Sequence, residues 1–245
     1  MWLFDRPIAH RGFHTDIKVA TENSMSAFKL AIEKGYNIET DVHLLKSGEV
    51  VIFHDNTLSR VCGKNVAIKN LTLDDIKGDD YLLPNGEHIT LFSELLDIID
   101  GEKNGILLEL KFNGFNYDLE RAVYELIKGK ESYIAVQAFN PYTSYWFKEH
   151  APEFTRGMLS DTMVFPLTHA VWNKGQPDFL AYNVKTIDAC VRNFVKKKNA
   201  HLLTWTVRKP ELLDKAYEAG ANNIIFEKLN LDELGFDKAK LKPVE

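Results

Sequence analysis

The chain has 245 residues, 45% of them hydrophobic and 27% charged, enough for one large core or two small ones. A formal charge of −5 argues against a broad nucleic-acid surface and leaves only local basic groups to hold a phosphate. Two cysteines, Cys62 and Cys190, cannot make a disulfide framework, no stretch has the length of a transmembrane helix, and "MWLFDRPIAHRG" lacks a signal peptide's apolar region and cleavage site, so a cytoplasmic protein without stable membrane insertion is expected.

In chain order, strand-like apolar runs fall at 7–12, 37–44, 49–55, 105–111, 133–139, 155–159, 178–183, 201–207 and 222–226. Amphipathic stretches separate most of them. "ENSMSAFKLAIEKG" carries Met25, Phe28 and Ile32 at helical spacing, with Asn23 as a candidate N-cap and Gly35 as a stop. "NYDLERAVYELIKG" repeats the pattern with Leu119, Val123, Leu126 and Ile127, and "KPELLDKAYEAG" opens near Pro210 and ends at Gly220. Alternation of strand and helix predicts a parallel sheet covered by helices. Nine strands are one too many for an eightfold barrel. Only Leu45 to Gly48 join the second run to the third, too few for a parallel crossover, so those two runs form an antiparallel hairpin. Eight parallel strands remain, and the predicted fold is α/β, a (β/α)8 TIM barrel. Residues 56–91 are polar and weakly periodic and read as a small insertion within a single domain over 1–245. The helix expected after the last strand has little support, since "LDEL" is short.

The polar residues collect at the C-terminal strand ends, which share one mouth in a barrel. "NIETDV" sets Glu39 and Asp41 two residues apart, on one face of a strand, where they repel unless a cation meets them. "LELK" repeats the spacing with Glu109 and Lys111, the first strand ends in His10, Arg11 and Gly12, and the hairpin returns with His54 and Asp55. Gln137 and Trp205 end later strands. Three carboxylates without cysteine or a tight histidine pair suit a hard divalent cation, Mg²⁺ or Ca²⁺. Arg11 and Lys111 beside it make an anion site, and two histidines can move protons near neutral pH. The set points to hydrolysis or cyclisation of a phosphodiester. Adjacent His10 and Arg11 reach one ligand only if the strand ends there, which Gly12 permits. Phe139 and Trp205 read as pocket wall or core, with stacking on a substrate as the alternative. His14, His43, His88, His150, His169 and His201 read as surface or structural, and the run Tyr142, Tyr145, Trp146, Phe147 as core packing.

Taken in order, "HRG", "ATENSMSAFKLAIEKG", "IETDVHLLKSGEVVIFHD", "LSR", "LELK", "AFNP" and "TWTV" resemble the glycerophosphodiester phosphodiesterase family from about residue 7 to 226. The resemblance implies a TIM barrel with a small insertion after the "HD" segment. It implies His10 and His54 as the acid–base pair, Glu39, Asp41 and Glu109 as ligands of Mg²⁺ or Ca²⁺, Arg11 and Lys111 on the phosphate, and Asn23 and Asp55 in support. Gln137, Phe139 and Trp205 would then line the substrate side. The implied reaction converts a small-molecule glycerophosphodiester to glycerol 3-phosphate and an alcohol through a cyclic phosphate. Thr21 stands where the pattern has proline, the loop from Phe13 to Ala20 is long, Arg208 replaces a frequent asparagine, and Phe226 and Glu227 stand in a segment that commonly reads "IITD". These departures bear on substrate range. Two rivals stay open: a lysophospholipase D or other phospholipid-cleaving relative, which an apolar groove lined by 56–91 would favour, and a catalytically silent phosphodiester sensor.

Overall fold

A computed structural model describes residues 1–112, 114–163 and 165–241. Nine strands form one sheet: β1 (Ile8–His10), β2 (Asn37–Leu44), β3 (Val50–Ile52), β4 (Ile106–Leu110), β5 (Ile134–Ala138), β6 (Thr155–Ser160), β7 (Phe179–Asn183), β8 (His201–Val207) and β9 (Asn223–Phe226). Their order is β1-β9-β8-β7-β6-β5-β4-β2-β3, and a further pairing of β1 with β2 closes the ring. Every pair around the ring is parallel, and only β3 runs antiparallel, on the outer end of β2 with Val42 opposite Ile52. The expected barrel and hairpin are both present. The return strand is shorter than 49–55, but Phe53 N still donates to Asp41 O at 3.0 Å, which carries His54 and Asp55 back beside β2.

Alternation along the strands divides the core. Ile8, Leu107, Ala135, Phe179, Ala181, Leu203 and Ile225 pack together inside the ring, with Leu3 of the N-terminal turn sealing its lower end. Phe179 takes its place through Gly157, since a Cβ at Gly157 would lie 2.0 Å from the ring. Ile38, Val42, Ile106, Leu108, Ile134 and Val136 form the opposite set, packed under the helices.

The helices are α1 (Met25–Glu33), α2 (Ser59–Cys62), α3 (Leu73–Lys77), α4 (Phe92–Ile98), α5 (Asp118–Ile127), α6 (Pro141–His150), α7 (Phe165–Gly175), α8 (Ala189–Lys198) and α9 (Pro210–Glu218). On α5 the expected Leu119, Val123 and Ile127 are buried and Leu126 is partly so, on α1 Phe28 is buried with Ala27 and Ala31 while Met25 and Ile32 are partly so, and α9 opens on Pro210 and buries Leu213 and Ala216. The cap of α1 differs from expectation. Ser24 accepts from Ala27 N, and Asn23, at φ +58, sends its side chain toward β2. After β9 the described chain has turns and one 3₁₀ turn, Lys238–Lys240, and covers the barrel through buried Leu229, Leu231 and Leu241.

Residues 56–91 hold a small core that their weak periodicity concealed. Leu58, Val61, Ile68, Leu71, Ile76, Leu83 and Ile89 pack on Val51 and Phe53 of the hairpin. Helices of four and five residues are too short to express a period, so the apolar positions scatter along the sequence and meet only in space. No helix among the described residues is long and apolar enough to cross a membrane.

Candidate active site

Strand register assembles the mouth of the barrel. His10 lies opposite Glu39 across β1 and β2, while Asp41, Glu109 and Gln137 stand abreast on β2, β4 and β5. Arg11 and Gly12 follow the end of β1 at φ +56 and +75. This left-handed turn lets two adjacent side chains face one pit, as the Gly12 break suggested. It also brings the loop against α1 so tightly that a Cβ on Gly12 would lie 2.9 Å from the Ala27 backbone.

Glu39, Asp41 and Glu109 are buried, and one oxygen from each lies within 4.8 Å of the others. Lys111 Nζ sits 2.7 Å from Asp41 Oδ1 and also bonds to Glu109, and Arg11 Nε lies 3.5 Å from Asp41 Oδ2. Glu39 accepts from the backbone N–H of Arg11 at 3.1 Å. Asn23 donates to Asp41 Oδ2 at 2.9 Å and accepts from Thr40 at 2.8 Å, so it orients a carboxylate. Burial, then the charges of Asp41 and Glu109, push the Glu39 carboxyl well up. Burial and Asp41 likewise push Glu109 up. For Asp41 burial acts in the same direction, but Lys111 and Arg11 outweigh it and hold the group below the usual range.

The residues fit a hard divalent cation. Three carboxylates face two side-chain cations, so all three can ionise beside an anionic diester only if a further positive charge joins them. The donors are all oxygen and buried, as such a cation requires.

Both histidines expected at the mouth are there. His54 Nδ1 donates to Asp55 at 2.5 Å, and Arg60 Nε donates to the other Asp55 oxygen at 2.7 Å. His10 Nδ1 donates to Glu227 Oε2 at 2.9 Å. Burial lowers both imidazoles, His10 to about 4. A pit of about 120 Å³ is walled by His10, Arg11, Glu39, His54, Glu109, Gln137, Phe139 and Trp205. Gln137 Oε1 is buried there without a partner. Phe139 is half exposed, its ring edge-on to Trp205 with centroids 5.7 Å apart. An outer cavity of about 410 Å³ shares His54, Glu109 and Phe139 and adds Asp55, Lys111 and Phe112.

The sequence model of the Glycerophosphoryl diester phosphodiesterase family matches residues 10–231. The chain belongs to this family. It is therefore a phosphoric diester hydrolase by family. A glycerophosphodiester phosphodiesterase of Caldanaerobacter subterraneus is 30% identical over 89% of this chain and 92% of its own length. Among solved structures, a glycerophosphodiester phosphodiesterase from Thermotoga maritima superposes with a TM-score of 0.72 at 26% identity, covering 89% of this chain and 92% of that one. An Oleispira antarctica phosphodiesterase in complex with the product sn-glycerol-3-phosphate has a TM-score of 0.77 at 24% identity, covering 90% and 91%, a likeness of fold.

Residues that the sequence did not single out also stand at this mouth. Glu22, next to Asn23, accepts from Arg11 at 2.7 Å and from both terminal nitrogens of Arg60 at 2.8 and 2.6 Å. Burial alone would raise Glu22, but the bonds from Arg60 and the charge of Arg11 bring it down to about 2. Glu22 and Arg60 fall within "ATENSMSAFKLAIEKG" and "LSR", where no local pattern singles them out. His14, expected to be surface or structural, is buried with Nε2 3.7 Å from Glu227 Oε1. His43 is structural, its Nε2 donating to the His54 carbonyl at 3.4 Å.

The aromatic run of α6 divides. Trp146 and Phe147 are buried, as expected, and Tyr142 is exposed. Phe112, Phe115 and Tyr142 form an edge-to-face chain with centroid distances of 5.2 and 5.8 Å. It leads from the outer cavity to an apolar groove of about 330 Å³ between α6 and α7, lined by Tyr142, Tyr145, Leu167 and Val171. This groove is not lined by 56–91, where an apolar groove would favour a lysophospholipase D type activity; that segment packs its apolar residues into its own core.

Proposed function

We propose that this protein hydrolyses small-molecule glycerophosphodiesters to glycerol 3-phosphate and an alcohol. The observation that carries the reading is two imidazoles facing one pit across a cluster of three carboxylates and two side-chain cations. Glu39, Asp41 and Glu109 would hold Mg²⁺ or Ca²⁺, and Asn23 orients Asp41. Once bound, such a cation offsets the charge of the acids and of the entering diester and polarises a substrate hydroxyl. Arg11 and Lys111 bind the phosphate, Gln137 offers its free oxygen to a substrate hydroxyl, and Phe139 and Trp205 exclude water from one side. In the first half-reaction the glycerol hydroxyl attacks phosphorus and the alcohol leaves. One of His10 and His54 takes the hydroxyl proton and the other supplies the proton the alcohol needs. In the second half the roles exchange as water opens the cyclic phosphate. Asp55, braced by Arg60, orients His54. The reading includes a cytoplasmic enzyme, one domain over 1–245 with 56–91 inserted, and no nucleic-acid partner.

The test is product analysis with glycerophosphocholine. Either His10→Ala or His54→Ala lowers kcat by about 100-fold or more with the fold retained, and a chelator stops turnover until Mg²⁺ or Ca²⁺ is restored. Wild-type rates in both variants refute the assignment. A second reading draws on the exposed path Phe112–Phe115–Tyr142 and the groove beyond it. They support a lysophospholipid-like diester whose single hydrocarbon chain leaves the pit along α6.

A further inference from the structure

A catalytic imidazole is useful only if the correct nitrogen faces the substrate, and a free histidine ring settles neither its orientation nor its proton. At His10 the barrel supplies the missing constraint through its closing seam. Ala9 pairs with Phe226 across β1 and β9, so the next residue after β9, Glu227, emerges beside His10, 217 positions away in sequence. Its Oε2 accepts from His10 Nδ1 at 2.9 Å. The same oxygen takes Nε and Nη2 of Arg208 at 2.9 and 2.7 Å, a two-donor fork reaching over from the end of β8. The Glu227 N–H donates to Val207 O at 3.0 Å, which pins the backbone beneath it. The other oxygen faces His14 Nε2 at 3.7 Å and Lys228 Nζ at 3.8 Å.

The Glu227 side chain is only 10% exposed, whereas Arg208 is 44% exposed. A surface ion pair would leave both ends in water. Burial would raise this carboxyl, but the bonds from His10 and Arg208 outweigh it and keep the group ionised. Oε2 already accepts two N–H groups of Arg208 and so carries no proton of its own, which makes His10 Nδ1 the donor. Nε2 is then left without a proton on the pit side, 4.0 Å from Glu39 Oε2. His10, His14 and Glu227 also have the composition of a cation site. Arg208 and Lys228 already meet both oxygens of Glu227, and their charges oppose one.

We propose that Glu227 is a positioning residue for the reaction. It holds His10 in the Nδ1–H tautomer with Nε2 turned to the substrate, and Arg208 braces it. The proposal rests on the reading of His10 as a proton carrier. It also gives a role to two departures from the family pattern, the arginine after "TWTV" and the glutamate after Phe226.

The test uses the full chain loaded with Mg²⁺. Nitrogen-15 correlation spectra of the histidine rings, at mildly alkaline pH, should show the His10 proton on Nδ1. In Glu227→Gln the amide can turn its NH₂ to the ring, and the proton should move partly or wholly to Nε2. With glycerophosphocholine that variant should lose about 10–100-fold in kcat with KM nearly unchanged. Glu227→Asp, which keeps the charge, should recover part of the loss. A wild-type proton on Nε2 overturns the proposal without any variant being needed. So does a normal kcat in Glu227→Gln when His10→Ala is inactive, and that result leaves the function intact. Wild-type turnover in His10→Ala removes the function reading and the proposal together.

Discussion

Replacing Glu39 by glutamine tests the charge balance of the mouth directly, because glutamine keeps the shape and can still accept from the Arg11 N–H. In the cation-free protein Glu39 lies within 4.8 Å of oxygens on both Asp41 and Glu109. At an effective dielectric of about 20, each ionised pair at that separation costs about 3.5 kcal/mol. Proton uptake limits the cost. The raised Glu39 carboxyl binds a proton in the folded state while the unfolded chain ionises at its usual 4.5, so the penalty grows by at most about 1.4 kcal/mol for each pH unit above that value. At neutral pH, about 2.5 units above that value, proton uptake caps the penalty at about 3 kcal/mol, below the Coulomb cost of two ionised pairs, and the bond to Arg11 reduces it further. Cation-free Glu39→Gln should therefore be more stable than wild type by about 1–3 kcal/mol, a Tm rise of roughly 3–10 °C for a chain of this size. A raised acid contributes full stability below the unfolded value of 4.5 and loses it as pH rises toward the folded value, so the wild type gains on Glu39→Gln as pH falls toward 4.5. Adding Mg²⁺ or Ca²⁺ should reverse the order, raising the wild-type Tm and leaving the variant nearly unmoved. Thermal melts in chelator and in each salt, at two pH values, are the assay. A cation-free variant less stable than wild type, or one stabilised by the salts as much as wild type, refutes the account of these three acids as a cation site.

Glu22, lowered to about 2, contributes stability that is present above 4.5 and lost as pH falls toward 2, so Glu22→Gln should flatten the acid limb of a stability–pH curve and cost about 1–2 kcal/mol at neutral pH, read from denaturant midpoints. Gly12→Ala meets both a positive φ and the Ala27 backbone, and should cost about 2–4 kcal/mol by the same measurement while displacing Arg11 and weakening phosphate binding. Phe115→Ser and Leu167→Asp change exposed residues outside the pit, so glycerophosphocholine turnover should stay at wild-type level. Turnover of a monoacyl diester held below its micellar concentration should fall by about tenfold, reflecting loss of apolar contact in the groove. Equal rates on both substrates remove the chain-bearing reading, and a loss seen only above the micellar concentration points to a lipid surface.

The parts of the mouth legible in the sequence are those set by strand alternation. Glu39 with Asp41, and Glu109 with Lys111, share a face because they are two residues apart, and hairpin length alone returned His54 and Asp55 to the same end. What stayed hidden is what tertiary closure decides. "ENS" offers two residues able to cap α1, and local propensity ranks Asn23 and Ser24 alike. The choice falls to Ser24 because Asn23 gains Asp41 and Thr40, partners that exist only once β2 is beside the loop. Glu22 and Arg60 meet across 38 residues, through the loop after β1 and the first turn of the insertion, and no period relates them. Glu227 is the extreme case. Its distance from His10 in sequence is nearly the whole barrel, and only the β9–β1 seam converts that distance to a hydrogen bond. A carboxylate that follows the last strand of a closed ring is therefore a neighbour of whatever ends the first strand, and barrel topology alone is enough to nominate it.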